Sequence, residues 1–326
     1  MKIAVIDDYQ SAFPTLECYA KLKGHEVVVY NDTENDPARL AERLTDAEAV
    51  ILTQQRSRFP RSVIERLPKL KLISQTGRNA AHIDIDACTE RGIVVSAGGS
   101  GNPNATAELT WALILAALRH IPYEMKRLRE GHWQSTLGTG VQGKTVGIYA
   151  FGKIGSIVAS VGRAFGARVM CWGREGSTGR AKDAGFEIAN SREAFFAEAD
   201  ILSLHIPLNK ETTGIVTRND LARMKSTALI VNTSRAGLIA AGALVDGLKA
   251  GRPGMAAVDV YEQEPVLGAD HPLLKMGNVT CTPHLGYVTR ESYEEYYGVV
   301  VEDILAYAAG KPSHVLNPEA YEKKGR

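Results

Sequence analysis

The 326-residue chain is predicted to be an α/β protein built from two doubly wound parallel sheets, and three observations support that expectation. Short apolar, β-branched runs alternate with helical stretches from Lys2 to about Val95, the pattern of parallel strands joined by crossover helices. The alternation then stops for one long apolar helix and resumes at Lys144, so the two series belong to separate domains. A chain of this length also exceeds one ordinary hydrophobic core.

In the first series the strands are Ile3 to Ile6, Glu26 to Val29, Ala49 to Leu52, Leu72 to Ser74 and Ile93 to Val95. Pro103 starts the connecting helix, which runs to about Arg119 and is apolar enough to be packed on both sides. Its most apolar part, Leu109 to Leu118, holds ten uncharged residues. Roughly 18 are needed to span a bilayer, so this is a buried helix and the protein is expected in the cytoplasm. In the second series Thr145 to Tyr149 is a strand, and Lys153 to Phe165 takes helical spacing, with Ile154, Ile157, Val158, Val161 and Phe165 on one face. Gly166 closes that helix, and Val169 to Trp172, Ile201 to Leu204, Ala228 to Val231, Ala256 to Val258 and Val279 to Cys281 are further strands. The last helix, Glu291 to Ala309, is amphipathic, with Tyr293, Tyr296, Tyr297, Val300, Val301, Ile304 and Leu305 on its apolar face.

Composition narrows the function classes. With 38 basic and 37 acidic side chains the net charge is +1 and no block of one sign occurs, which argues against nucleic-acid or membrane binding. Cys18, Cys88, Cys171 and Cys281 form no Cys-x-x-Cys, as expected of small core residues in a reducing compartment. Met1 leads directly into a strand without the pattern of a signal peptide. No spacing suited to metal ligation occurs, and His82, His120, His132 and His314 have no partner motif.

The stretch from Gly143 to Arg174 carries the strongest motif. A strand, a glycine turn, a helix and a second strand within about 30 residues form the dinucleotide-binding βαβ unit. Backbone N–H groups at the positive end of the helix dipole receive the pyrophosphate, and a Cβ there would obstruct it. Gly152 suits that approach and Gly155 suits close packing of helix on strand, with Lys153 and Ile154 between them. Ala150 departs from the Gly-x-Gly-x-x-Gly pattern at its first position and lacks glycine's freedom at positive φ. The second strand ends at Gly173, with no carboxylate for the ribose hydroxyls, and Arg174 follows. An Arg at this place accommodates a 2′-phosphate, which argues for NADP or for either cofactor. Glu175 keeps NAD open, since a one-residue shift of the turn would aim it at the ribose, and both charges also suit a solvated loop.

Three ionisable residues follow strand ends of the second sheet, where open α/β sheets put their ligands: Arg235, Glu264 and His284. A guanidinium recognises a carboxylate bidentately, and an imidazole backed by a carboxylate takes and returns a proton near neutral pH. Those parts suffice to oxidise a 2-hydroxy acid beside a nicotinamide. Singly, each residue type is as readily a surface charge or a structural histidine.

The motifs, taken in order, resemble the D-isomer-specific 2-hydroxyacid dehydrogenases. The resemblance covers nearly the whole chain. It rests on Ala107-Glu108-Leu109, Val146-Gly147-Ile148 with Gly152 and Gly155, Leu204-His205-Ile206-Pro207-Leu208, Asn232-Thr233-Ser234-Arg235-Ala236-Gly237, Asp259-Val260-Tyr261-Glu262-Gln263-Glu264-Pro265, His271-Pro272-Leu273 and Thr282-Pro283-His284-Leu285-Gly286. The resemblance implies that Arg235 holds the substrate carboxylate and the reacting oxygen, that His284 is the acid/base, and that Glu264 is its partner. It implies cofactor contacts from Ala150, Gly152, Lys153, Ile154, Gly155, Gly173, Arg174, His205, Pro207, Thr212, Thr233, Ser234, Asp259 and Gly286. Asp259 would lie near the nicotinamide, or simply cap a strand end, and His205 would line the cofactor cleft or close a strand. Gln75, Thr76, Gly77 and Arg78 form the implied substrate loop, with Asn104 beside it. Arg56, Arg58 and Arg78 suit either an anionic substrate tail or the solvated surface.

The implied architecture is a flavodoxin-like substrate domain of residues 1–102 plus 290–326 and a Rossmann NAD(P)-binding domain of residues 103–289. A homodimer built around Pro103 to Gly143, and closure of the domains over the substrate, belong to the same expectation. The activity expected is interconversion of a D-2-hydroxy acid and its 2-oxo acid with NAD or NADP, NADP being favoured. A glyoxylate/hydroxypyruvate-type reductase is favoured over a phosphoglycerate dehydrogenase-like enzyme, because little chain follows the last helix. A non-catalytic dinucleotide-sensing scaffold is the other alternative. Formate oxidation on the same fold is disfavoured by Glu264, where that branch has Gln.

Overall fold

A computed structural model describes residues 1–99 and 101–322. The chain divides into two compact units, residues 1–102 with 288–326 and residues 103–287.

The first unit carries strands β1 (Lys2–Ile6), β2 (Glu26–Val29), β3 (Ala49–Leu52), β4 (Leu72–Thr76) and β5 (Val94–Gly98), with helices α1 (Pro37–Arg43), α2 (Arg61–Ile64) and α3 (Ile85–Glu90) between them. All pairings are parallel, in the order β2-β1-β3-β4-β5, the flavodoxin-like arrangement. β3, β4 and β5 are buried along their whole length, which explains the continuous apolar run of β3 and the apolar starts of β4 and β5. Two strands run further than expected. Gln75 and Thr76 pair with Ala97 and Gly98, so β4 and β5 extend each other past the apolar residues that mark them locally.

The second unit begins with α4 (Pro103–Leu118) and α5 (Ile121–Arg129) and continues through β6 (Thr145–Tyr149), α6 (Lys153–Ala164), β7 (Arg168–Trp172), α7 (Glu175–Asp183), β8 (Glu187–Ile188), α8 (Arg192–Glu198), β9 (Ile201–Leu204), α9 (Arg218–Arg223), β10 (Leu229–Asn232), α10 (Ala243–Lys249), β11 (Met255–Val258) and β12 (Val279–Cys281). Its seven parallel strands lie in the order β12-β11-β10-β9-β6-β7-β8, a dinucleotide-binding sheet whose order reverses at β6. Apolar clusters cover both faces. One gathers Trp111, Ile114, Val158 and Val231 beneath α4 and α6, and the other gathers Phe195, Phe196, Leu221, Ile230 and Leu244 beneath α8 to α10. A Cβ at Gly162 would stand 3.3 Å from the Trp111 ring, so α6 crosses α4 closely at this glycine. The helical face expected through Phe165 is shorter than that. α6 stops at Ala164, and Phe165 is 44% exposed with its ring 5.0 Å from Trp111. The edge strand β8 has two residues and no periodic signature.

The chain then returns to the first unit with α11 (Arg290–Ala308) and α12 (Glu319–Glu322). Tyr293, Tyr297, Val300, Val301 and Ile304 of α11 are buried, as the amphipathic pattern predicts, while Leu305 is only partly covered. Asp303 is buried among them, accepting from Ser313 Oγ at 2.5 Å and lying 2.8 Å from His314 Nδ1. The tail runs along β5, with Ala97 N donating to His314 O and Leu316 N donating to Val95 O. Among the described residues no helix is long and apolar enough to cross a membrane, and no cluster of His, Cys, Asp and Glu could hold a metal ion.

Candidate active site

The glycine turn joins β6 to α6. Gly152 caps α6 with no side-chain hydrogen bond, and a Cβ built on it meets nothing within 4 Å. The first N–H groups of the helix therefore face open space with no substituent in the way, which suits a pyrophosphate. Gly155 is required for packing, because its Cβ would fall 2.3 Å from the Ala150 carbonyl oxygen. Ala150 adopts φ +76°, the left-handed conformation that glycine normally supplies, at a cost of about 1–2 kcal/mol. Neighbouring groups hold it there: Ala150 N donates to Trp172 O, Phe151 N donates to Ser177 Oγ at 2.6 Å, and Arg180 donates twice to Phe151 O. Lys153 is exposed in the first turn of α6, and Ile154 packs against the sheet.

At the end of β7, Gly173 is small because a Cβ would press on Ser177 Oγ at 3.0 Å. Arg174 caps α7, and its guanidinium forms an ion pair with Glu211, whose loop follows β9. Glu175 occupies the first turn of α7, where a carboxylate complements the helix dipole. Thr212, expected to meet the cofactor, is buried and spends its hydroxyl inside its own loop: it donates to Pro207 O at 2.7 Å and accepts from Asn209 N at 2.8 Å. The His205 ring lies 3.0 Å from Ser203 Oγ, and burial lowers its pKa to about 4, so it stays neutral at pH 7.

Beyond β10, Asn232 organises the turn by accepting from Ser234 N and donating to Arg235 O. Ser234 Oγ donates to Leu204 O, and the buried Thr233 hydroxyl lies 2.8 Å from that of Thr110 on α4. These bonds leave Arg235 extended at φ −148° and exposed, its Nη1 donating to Ser234 O.

His284 Nδ1 lies 2.5 Å from Glu264 Oε2, and Glu264 Oε1 accepts from Tyr261 N at 2.9 Å. A carboxylate on Nδ1 fixes the ring orientation and leaves Nε2 as the working nitrogen. His284 sits at φ +53°, and fully buried Asp259 holds the surrounding loop. Asp259 accepts from Thr282 Oγ1 at 2.6 Å, Leu285 N at 2.7 Å and Gly286 N at 2.9 Å, and burial raises its pKa despite these donors. In this geometry Asp259 is a clamp on both sides of His284. Gly286 is buried, its carbonyl accepting from Thr106 Oγ1, and the Tyr287 ring stands edge-on to His284 at 5.6 Å.

In the first unit, the expected substrate loop is only half a loop. Gln75 and Thr76 are buried strand residues, because β4 extends through them, and Gly77 and Arg78 follow at its end. Thr76 Oγ1 accepts from Gln54 N at 2.7 Å, tying this strand end to the segment that carries Arg56 and Arg58. Asn104 lies exposed in the first turn of α4, in the second unit.

The sequence reading missed Ser177, Arg180, Thr110, Thr282 and Glu211. Thr282 stands in the same motif as His284, two residues ahead of it. The others come from neighbouring elements and carry no local signal.

The sequence model of the D-isomer specific 2-hydroxyacid dehydrogenase NAD binding domain matches residues 111–286. A glyoxylate reductase from Aeropyrum pernix is 36% identical over 308 residues, covering 91% of this chain and 91% of that protein. A D-3-phosphoglycerate dehydrogenase from Archaeoglobus fulgidus is 34% identical over 296 residues, covering 90% of this chain; the chain spans only 55% of that relative's length. Among solved structures, an oxidoreductase from Ralstonia solanacearum superposes with a TM-score of 0.95 at 49% identity, covering 98% of both chains. A phosphoglycerate oxidoreductase from Vibrio cholerae has a TM-score of 0.91 at 46% identity, covering 95% of this chain and 99% of that one.

Proposed function

We propose, for a chain that belongs to the D-isomer-specific 2-hydroxyacid dehydrogenase family, that it interconverts a small D-2-hydroxy acid and its 2-oxo acid with NAD(P), working chiefly as a glyoxylate/hydroxypyruvate-type reductase. The observation that carries the reaction is the 2.5 Å pairing of His284 Nδ1 with Glu264. In reduction the imidazolium gives its Nε2 proton to the 2-oxo oxygen, and Glu264 stabilises the charge His284 holds beforehand. In oxidation neutral His284 removes the hydroxyl proton. The nicotinamide, when bound, supplies or accepts the hydride. Arg235 holds the substrate carboxylate and polarises the reacting oxygen with a fixed cation, electrostatic work that needs no reorganisation during the reaction. Asp259 keeps the His284 loop in register. Gln75, Thr76, Gly77, Arg78 and Asn104 are assigned to substrate binding, Gln75 and Thr76 through the strand end they build.

A second reading, action on a phosphorylated 2-hydroxy acid, is favoured by Arg56, Arg58 and Arg78, three cations on adjoining strand ends of the first unit. The protein is further proposed to work as a homodimer in a reducing cytoplasm. α5 has no buried residue, and Leu128, Trp133 and Leu137 nearby are 59%, 78% and 94% exposed, an apolar strip that a second copy would cover. The four cysteines are free thiols, as a reducing compartment requires.

The test is NADH and NADPH oxidation with glyoxylate, hydroxypyruvate, pyruvate and phosphohydroxypyruvate, run on wild type and His284→Ala. Turnover on the small acids, lost in His284→Ala with cofactor binding intact, supports the assignment. A fully active His284→Ala sinks it, and a preference for the phosphorylated acid selects the second reading.

A further inference from the structure

The Arg174–Glu211 ion pair is the feature that carries an inference beyond this reading, because of where it stands. Arg174 follows β7 and Glu211 lies in the loop after β9, while the sheet order is β9-β6-β7. The pair therefore joins the segments that follow β7 and β9, the two strands flanking β6, whose end leads into the turn of Ala150 to Gly152. A cofactor whose pyrophosphate sits on that turn must lay its adenosine ribose toward the end of β7, beside this pair. The pair is exposed, with side chains 72% and 74% accessible, so its own bond is weak and can be exchanged for another. The acidic partner is nonetheless held in place. Asn209 Oδ1 accepts from Glu211 N at 2.9 Å and Thr212 N at 3.1 Å, and the Thr212 hydroxyl ties the loop to Pro207. Gly173 offers the ribose no side chain.

We infer that Glu211 is the residue that sets the NAD/NADP preference, by holding Arg174 against a 2′-phosphate and repelling that phosphate with its own carboxylate. The inference rests on the NAD(P)-enzyme reading and sharpens it. Arg174 alone would make an NADP site, but with Glu211 beside it the wild-type protein gains little from the 2′-phosphate and uses both cofactors. NADH has a neutral 2′-hydroxyl in place of the 2′-phosphate, a hydrogen-bonding group that a glutamine accepts from as a carboxylate does and that carries no charge for the pair to attract or repel, so its affinity responds far less.

Equilibrium titration with NADH and NADPH, followed by quenching of protein tryptophan fluorescence, tests this without turnover. The set is wild type, Glu211→Gln, Arg174→Gln and the double variant. Both side chains are surface-exposed, so the fold tolerates the changes. Glu211→Gln should tighten NADPH about tenfold and leave NADH within twofold. Arg174→Gln should weaken NADPH about tenfold, again sparing NADH, and in that background the Glu211→Gln gain should shrink to about threefold. Raising the salt concentration should shrink every one of these differences. An unchanged NADPH affinity in Glu211→Gln, or an equal shift for both cofactors, overturns the inference while leaving the dehydrogenase reading intact. Failure of wild type and all variants to bind either cofactor refutes the cofactor reading itself, and the inference with it.

Discussion

Asp259→Asn tests whether the loop around His284 is held by a carboxylate, and the structure sets the size of the effect. The carboxylate accepts three hydrogen bonds, Thr282 Oγ1 and Leu285 N on one oxygen and Gly286 N on the other. An asparagine can keep the first two by pointing its oxygen the same way, but its NH₂ then faces the Gly286 N–H, donor against donor. One hydrogen bond to a charged group is lost, about 1.5–3 kcal/mol, and the buried amides are left facing each other. Part of that loss is returned because the neutral side chain avoids the burial cost that raises the Asp259 pKa. The net expectation is about 2 kcal/mol of lost stability. Activity should suffer more, because Leu285 and Gly286 directly follow His284, whose φ of +53° persists only while its neighbours hold it. If the ring slips by about 1 Å from Glu264, a fall in kcat of roughly 10² is expected. Urea denaturation and steady-state kinetics on the same preparation separate the two effects. A variant that loses the stability yet keeps kcat within twofold of wild type refutes the clamp as a catalytic device and leaves it a purely structural one.

Three further outcomes are expected. Ala150→Gly relieves about 1–2 kcal/mol of left-handed strain and adds unfolded-state entropy costing about 0.4–1 kcal/mol, so thermal unfolding should show a gain between about zero and about 1.5 kcal/mol; a clear destabilisation would mean the φ of +76° is not strained. Gly155→Ala places a Cβ 2.3 Å from the Ala150 carbonyl and should cost about 1–3 kcal/mol together with cofactor affinity, read by calorimetry and fluorescence titration; normal values for both would contradict the close packing. The last outcome concerns pH. His205 has a folded pKa of about 4, below its ordinary 6.5, so between those values the unfolded chain binds a proton that the folded protein does not. Stability should therefore rise with pH through that window, and below pH 4 the deficit from this one residue is about 3 kcal/mol. Half-buried His82, lowered to about 4 by desolvation, acts in the same direction, so His205→Gln should flatten the acid limb of urea-unfolding curves without abolishing it. An unchanged slope would show that His205 is not buried neutral.

Local sequence was most informative where burial is complete. Parallel strands covered on both faces read as short, mostly apolar runs, and the fully buried β3, β6 and β9 begin and end where those runs do. It was least informative where a strand continues by pairing alone. Nothing in Gln75-Thr76 or Ala97-Gly98 marks a strand until each is set beside the other, and that neighbour is 22 residues away. The same limit governs the site. Arg235, Glu264 and His284 stood out as candidates because they stand in compact motifs at strand ends, and the order of those motifs along the chain is specific. The groups that hold the glycine turn and Arg174 did not, because each arrives from another element: Ser177 reaches Phe151 across 26 residues, Arg180 across 29, and Glu211 reaches Arg174 across 37. That separation explains why Arg174, read alone, argued for NADP. A guanidinium at the end of β7 is a phosphate site only if no closer anion holds it, and whether one does depends on which strand lies on the other side of β6. The motif names the reactive group, and the topology of the sheet decides what that group is free to bind.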